Sequence, residues 1–392
     1  MFSTDRSIEP TIISNQGIDQ SRLPIFEQDW WVDTARKSAG FREVTVLEDG
    51  LVVGRLAFTV QRNRLGFRSG GNLPACHLGG PALAESLSPK RLAEVLNGLL
   101  EQLPNIPFLF TVSAHVSYAP YVREAFKKAG FKHFTQANYL RQPTASRTSN
   151  IVGGLSHKRR AHINSADRRL EVREINAEEF ISFYSANLEA SGRAPYLSLD
   201  IVQEFIAKGI FRGQVRVIAA QQKMDKTESV NHLPYDAAVA CAWDEERYYY
   251  WLSTRRHADR GDFHRPRPHP DAIKLLILKA MSHAEQLGLT FDADGATTPG
   301  RSHLYKDILS LHEEETRDVF ERITFFARLF NRIKSCVQIG LSITHTRFRK
   351  LRRRTGRLAT KQAGCHTRML QQERRTIGRR RAIAPSPGAR RG

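Results

Sequence analysis

Residues 248–296 read YYYWLSTRRHADRGDFHRPRPHPDAIKLLILKAMSHAEQLGLTFDADGA, and the order of patterns in them decides the fold. Tyr248, Tyr249, Tyr250 and Trp251 suit a pleated strand, where aromatic side chains pack on a half-buried surface. From Arg255 to His269 the chain is charged and contains prolines, so it is expected to cross the surface as a loop. From Asp271 onward, Ile273, Leu276, Ile277, Ala280, Met281, Ala284 and Leu287 recur at helical spacing. Gly288 stands where a left-handed cap would end that helix. Leu289 to Phe291 then make a short strand, followed by Asp292, Ala293, Asp294 and Gly295. A strand, a crossover helix and a strand usually make a parallel pair. Ligands of open α/β sheets gather beyond the carboxyl ends of such strands, which is where Asp292 and Asp294 would stand.

Outward from this stretch, the earlier chain repeats the same kinds of element. Phe26, Trp30, Val32 and Ala35 follow Pro24 in a helix-like run. Phe41–Leu47 and Leu51–Val60 flank Glu48-Asp49-Gly50, a hairpin signal. Gly66–Pro81 is rich in Gly and Pro and reads as a loop beside a sheet. Ser88 caps a helix reaching about Leu103. Phe108–Val112 is a strand, Ala119–Ala129 a helix stopped by Gly130, and Phe131–Leu140 a returning strand. After a polar linker, Ser156 is placed to cap a basic helix. Leu170–Ile175 is a strand, and Glu178–Ala190 and Leu199–Lys208 are helices. Val215–Ala220 is a strand, and Tyr235–Trp243 with Arg247–Ser253 forms a second hairpin. Arg317–Lys334 is amphipathic, with Val319, Phe320, Ile323, Phe326, Phe330 and Ile333 on one side. The order of elements in the second half follows that in the first, which points to two copies of one mixed α/β fold.

With 392 residues the chain is long enough for two domains. The first residues include Asp5, Arg6, Glu9 and Pro10 rather than an apolar run, so no secretory leader is expected. No apolar stretch is long enough to span a bilayer. Cys76, Cys241, Cys336 and Cys365 form no Cys-x-x-Cys pair. A disulfide framework or zinc knuckle is therefore not expected, and a reducing cytoplasm fits. The net charge of +20 suggests nucleic acid until it is located. Residues 332–392 hold eighteen Lys and Arg against Glu373 alone, which accounts for +17 and leaves +3 for residues 1–331. The basicity belongs to a tail, whose composition reads as disordered.

The run Leu155–Ala166, with Lys158, Arg160, Ile163 and Ala166, resembles the Lys-x-Arg-x-x-Ile-x-x-Ala helix of FemAB-like proteins in the GNAT acyltransferase superfamily. Tyr249, Tyr250, Trp251, Pro270, Gly288, Phe291, Asp292 and Gly295 resemble that family's Tyr-rich strand, Pro-led helix and Phe-Asp-x-x-Gly end. The first half is similar in Trp30-Trp31, Gly79-Gly80-Pro81 and Phe126–Gly130. The resemblance implies α/β tandem GNAT-like domains with mixed sheets: an arm at 1–23, a first domain at 24–143, a linker at 144–154, a second domain with the active cleft at 155–331, and a basic tail at 332–392. It also implies acyl transfer to an amine, from acyl-CoA or aminoacyl-tRNA as co-substrate, with no bound cofactor. The acceptor would be a small-molecule or envelope-precursor amine. The family's Phe-Lys-x-x-aromatic-Gly is replaced here by Tyr305-Lys306-Asp307-Ile308-Leu309-Ser310, which keeps the lysine and loses the glycine. The pyrophosphate loop of ordinary GNAT enzymes is missing.

Amide formation needs an acceptor for the amine's proton, donors for the oxyanion, and both reactants held together. Asp292 and Asp294 are the candidate catalytic residues. The competing reading is that they cap the helix after Thr297 or shape the turn at Gly295. Asp-x-Asp alone lacks a third metal ligand, so no metal is expected. A backbone N–H beside a strand distortion could serve the oxyanion. Lys306, Tyr250, Ser253 and His303 are candidates for holding substrate, with Trp251 facing away from Tyr250 and Ser253. Their alternatives are a solvated lysine and core packing. Lys158, Arg159 and Arg160 open a helix, where phosphate of the donor or of tRNA would fit; a solvated basic face is the alternative. His257, His264, His269 and His303 have no zinc spacing and suit a basic loop. Residues 317–392 suit contact with an acidic membrane surface or with RNA. A cytoplasmic protein, peripheral at the inner membrane face, fits these features. Two rivals stay open: a catalytically inactive GNAT-like binding protein of envelope or polysaccharide assembly, and an RNA-binding module acting through the tail.

Overall fold

The computed structural model describes residues 17–63, 65–112, 118–144, 151–223, 235–256, 267–295 and 298–323. The chain divides into two units, Met1–Ile323 and Thr324–Gly392, and every described residue belongs to the first. A 3-10 turn (Ile25–Glu27) leads into α1 (Asp29–Ala35), the hairpin β1 (Phe41–Glu48) and β2 (Leu51–Arg62), β3 (Arg68–Gly71), β4 (Pro81–Leu83), α2 (Pro89–Glu101), β5 (Phe108–Val112), α3 (Ala119–Lys128) and β6 (Lys132–Arg141). The later half contributes α4 (His157–Arg169), β7 (Leu170–Glu174), α5 (Ala177–Ala190), α6 (Leu199–Phe211), β8 (Val215–Gln222), β9 (Tyr235–Trp243), β10 (Arg247–Arg255), α7 (Ala272–Leu287), β11 (Thr290–Asp292) and α8 (Pro299–Ser302). A π-helical turn (His303–Ile308) and β12 (His312–Arg322) follow.

Local chemistry sets many of these boundaries. The β1–β2 turn has φ of +50° at Asp49 and +79° at Gly50, the paired positive angles that a two-residue hairpin demands. Ser88 accepts the Arg91 N–H and starts α2. Gly288, at φ +73°, ends α7. Ser156 occupies the first position before α4, but its side chain makes no capping bond.

All the described strands share one sheet, in the order β1-β2-β3-β5-β12-β6-β11-β10-β9-β8-β7, with β4 beside β2. Two parallel pairs occur, each formed across a helix: β3 with β5 across α2, and β10 with β11 across α7. The halves meet where β6 pairs antiparallel with β11.

The sheet is continuous across the division drawn at residues 144–154, and two elements cross it. Strand β12, late in the chain, lies between β5 and β6 of the first half. Helix α1, early in the chain, packs against α6. Trp31 is fully buried there, with its ring centroid 4.6 Å from Phe205 and 5.0 Å from Trp251. A periodic pattern shows that Trp30 and Trp31 need cover, and leaves open which half supplies it. One core packs α2 and α3 on the first half's strands. Two more lie around β8–β11, one including α4 and α7, the other α1, α5 and α6, and a small fourth joins Ile18, Leu23, Val52 and Ala82.

The amphipathic run expected over 317–334 is strand as far as Arg322; from residue 324 it lies outside the described residues, as does the tail. The reason is central placement. Arg317, Asp318, Val319 and Phe320 are all buried, and a strand covered on both faces loses the alternation that would mark it.

Trp31→Ala removes the ring that joins α1 to Phe205 and Trp251, and should cost roughly 3–5 kcal/mol in urea unfolding.

Candidate active site

The α7 crossover delivers β11 beside β10, but the two strands stay together only briefly. Their pairing ends at Tyr249 opposite Asp292. Beyond that point the chain turns to β6: Ala293 N–H donates to the Tyr139 carbonyl at 2.9 Å, and Tyr139 N–H donates to the Asp294 carbonyl at 3.3 Å. Strand β10 continues to Arg255 along β9. Among the described residues, the β11-facing edge of β10 beyond Tyr249 has no strand partner, and this gap in the ladder forms a notch between paired strands.

The notch coincides with a bulge. The β9–β10 register slips between Tyr250 and Leu252, so Trp251 is the extra residue. Regular alternation would send Tyr250 and Ser253 to opposite faces. The bulge returns them to one face, where the Ser253 side chain lies near the Tyr250 phenol. Trp251 points the other way, into the core with Trp31, and its indole N–H donates to the Ala75 carbonyl at 2.7 Å.

Asp292 closes the floor. It is fully buried and accepts from Arg317 Nη2 at 2.9 and 3.1 Å, Arg247 Nη1 at 3.1 Å and Asn138 Nδ2 at 3.2 Å. Its Oδ1 also accepts the Asp294 N–H at 2.9 Å, an Asx turn. Burial pushes this carboxyl up, but the Arg317 and Arg247 guanidiniums and the hydrogen bonds outweigh it and hold it below the usual carboxylate range. A group so placed and so weakly basic is a poor proton acceptor. These contacts favour the alternative that its sequence context offers, a residue that shapes the turn.

Asp294 differs. Its side chain is 32% exposed, its φ is +67°, and it accepts from Arg317 Nη1, so one guanidinium spans both acids. Asp tolerates this left-handed geometry better than most residues. On the same side comes His77, from the first half's loop between β3 and β4. It lies near the Trp251 backbone at the bulge and feels the charges of Asp294, Arg317 and Asp292. Burial pushes its imidazole down, which favours the neutral ring. Its Nδ1 is buried and has no hydrogen-bond partner among the described residues. Nothing in the sequence singles out His77; the loop that carries it meets β10 only through the fold.

On the Tyr250 side stands Tyr305, buried, with its ring centroid 5.4 Å from Tyr139 and its phenol pushed up to about 12 by burial. It lies in the π-helical turn, a distortion frequent at functional sites. That turn closes through Leu309 N–H to the Leu304 carbonyl and Leu311 N–H to the Tyr305 carbonyl. Ser310, where the resembling family has glycine, takes φ +55°. The turn survives without its glycine.

The other expected residues fall elsewhere. Lys306 is exposed and pairs with Glu313 at 3.0 Å. His303 is exposed on the π-helical turn. Lys158 and Arg160 are exposed and Arg159 is half-buried at the start of α4. The cavity on this helix lies further along. It measures about 390 Å³ and is lined by His162, Ser165 and Arg169, with Gln222 and Arg267–Asp271 at the start of α7. Asp236 fixes its wall, accepting from His269 N–H at 2.8 Å, Arg256 Nη2 at 2.7 Å and Gln222 Nε2 at 3.0 Å. His257 and His264 lie outside the described residues. Among the described residues no three His, Cys, Asp or Glu side chains converge as a metal site would require.

The crystal structure of FemX superposes on this architecture with a TM-score of 0.53 at 14% identity, covering 83% of this chain and 99% of that one. The chain has the FemX fold. A conserved protein of unknown function from Bacteroides thetaiotaomicron gives a TM-score of 0.45 at 9% identity, over 75% of this chain and 90% of its own. A tandem GNAT protein from the clavulanic acid biosynthesis pathway gives 0.41 at 12%, over 76% and 96%. No protein-family model and no curated protein matches the sequence. The FemX-like framework agrees with the mixed α/β class expected from the sequence.

Two outcomes follow for stability. The folded-state carboxyl of Asp292 is depressed, so its contribution is complete above the ordinary carboxylate range and is lost as pH falls through the lowered value. Asp292→Asn should therefore cost roughly 3 kcal/mol near pH 7. The gap to the wild type should narrow below about pH 4 in a series of urea melts. Ser310→Gly relieves a left-handed serine and should raise stability by about 0.5–1 kcal/mol in the same assay.

Proposed function

We propose that this chain is an N-acyltransferase that joins an acyl or aminoacyl group to an amine at the β10–β11 notch. One observation carries the reading: in a FemX-like fold, the paired strands part beside a bulge, and a partly exposed carboxylate, an imidazole biased towards its neutral form and a Tyr250–Ser253 pair border the gap. Parted strands offer backbone N–H groups to an acyl carbonyl. Such donors stabilise the oxyanion when they are fixed before reaction.

In this reading the amine attacks the donor's carbonyl carbon, and as the tetrahedral adduct collapses the C–S bond breaks to release thiolate, or the C–O bond breaks and the tRNA oxygen leaves as hydroxyl with the proton that Asp294 took from the amine. Asp294 takes the amine's proton, directly or through water. Tyr250 and Ser253 position the acceptor. The donor's phosphates sit in the α4–α7 cavity, where Arg169 and Arg267 supply positive charge and the start of α7 points its N–H groups outward. This shifts the donor-binding expectation along α4 from Lys158, Arg159 and Arg160. Acyl-CoA and aminoacyl-tRNA both present phosphate and both suit the cavity. An envelope-precursor amine is the acceptor class implied by the FemAB-like motifs.

His77 Nδ1 offers a second proton acceptor, and its lack of a partner among the described residues is the specific observation in its favour. Turnover with an amine acceptor separates the two. Asp294→Asn should lower kcat/KM by about 10²–10⁴-fold, and His77→Gln by roughly tenfold or less. The reverse order would assign the base to His77, and unchanged turnover in both would remove the notch as the reaction site.

A further inference from the structure

The tip of the β2–β3 hairpin presents two large apolar side chains at the surface. Its sequence is Arg62-Asn63-Arg64-Leu65-Gly66-Phe67-Arg68. Leu65 is 68% exposed and Phe67 53%. The turn that presents them is well bonded. Asn63 Oδ1 accepts the N–H groups of Leu65 and Phe67, each at 3.0 Å, and Asn63 and Phe67 bond backbone to backbone at 2.9 Å. Gly66 supplies the positive φ, +83°, that the turn needs.

Charge at the base of this tip is arranged against the fold's own interest. Arg62 and Arg68 stand directly opposite each other across the β2–β3 ladder. Like charges in that position destabilise a strand pair. Both are exposed, as is Arg42. All three edge a groove of about 450 Å³ whose floor includes Phe58, Val60 and Ile106. The acid on its wall, Glu43, faces Arg36 at 3.1 Å and Arg55 at 3.9 Å. An external anion would relieve the opposed guanidiniums, and an apolar layer just beneath that anion would take Leu65 and Phe67. An acidic bilayer surface offers both at this spacing: lipid phosphate, then acyl chain.

We propose that the β2–β3 hairpin docks on anionic phospholipid bilayers, with Leu65 and Phe67 entering the interfacial layer and Arg42, Arg62 and Arg68 meeting lipid phosphates. This is separate from any membrane contact through residues 317–392, and it does not depend on the acyl-transfer reading.

The test uses the full-length chain and phosphatidylcholine vesicles containing about one-third phosphatidylglycerol. The basic tail also attracts such vesicles, so sedimentation is compared at low salt and at about 0.5 M NaCl, where long-range attraction is screened. Leu65→Ser with Phe67→Ser leaves the net charge unchanged. It should lower partitioning by about 10- to 100-fold at the higher salt. Arg62→Glu with Arg68→Glu should lower it by a similar factor at low salt. In a Phe67→Trp variant, emission should shift to the blue and be quenched by brominated acyl chains when anionic vesicles are added, and stay unchanged with phosphatidylcholine alone. Equal partitioning of the Leu65/Phe67 double variant and the wild type at both salts would overturn the proposal. So would unshifted emission from the sedimented Phe67→Trp variant, or wild-type protein that ignores the vesicles. Self-association abolished by the double variant, with vesicle binding intact, would give the tip to a second copy of the chain instead.

Discussion

A single guanidinium holds the centre of this protein. Arg317 is 1% exposed and reaches both Asp292 and Asp294, while Arg247 adds a second positive charge to Asp292. Two carboxylates and two guanidiniums thus balance in a place where an uncompensated charge would be strongly destabilising. The arrangement links β12, β11 and β10, and through Asn138 also β6. It determines where the strands stay together and where they part. The β10–β11 ladder stops at Asp292 because that residue's side chain is committed to the neighbouring strands and the following turn. The notch is the geometric remainder of that commitment.

The same linkage explains why the two acids of one short motif have different fates. Asp292 is surrounded by donors, and its negative charge is fixed by them. Asp294, two residues on and in a left-handed conformation, keeps part of its carboxylate exposed while sharing the same arginine. The anchoring acid makes the orientation of the other reproducible. A reactive group benefits from support of this kind, because small displacements at a reacting centre cost large factors in rate.

The legible parts of the sequence are those whose cause is local. Gly288 ends α7, Asp49-Gly50 turns a hairpin and Ser88 starts α2, and each needs only its own backbone and near neighbours. The strand–helix–strand order around Tyr248–Phe291 carries the parallel pair as well. Arg317 is hidden because β12 is covered on both faces and shows no alternation. Its partner Asp292 lies 25 residues away. His77 is hidden for a related reason: its loop meets Trp251 across 176 residues at the Ala75 contact, and no spacing in the chain announces that meeting. The pairing of Tyr250 with Ser253 needs a bulge, which aromatic content alone does not reveal. The basic start of α4 is legible as a helix, yet the lining of the cavity depends on where α7 begins beside it.

Strand β12 has one further consequence, for the order of events during synthesis. Its residues, 312–322, lie between two strands made some two hundred residues earlier. While the ribosome is still producing the middle of the chain, β5 and β6 must wait with open hydrogen-bonding edges. Such edges invite wrong partners, and contacts this distant along the chain form slowly. The nascent first half therefore emerges as an unfinished sheet, and it is in this interval that a chaperone would find something to hold.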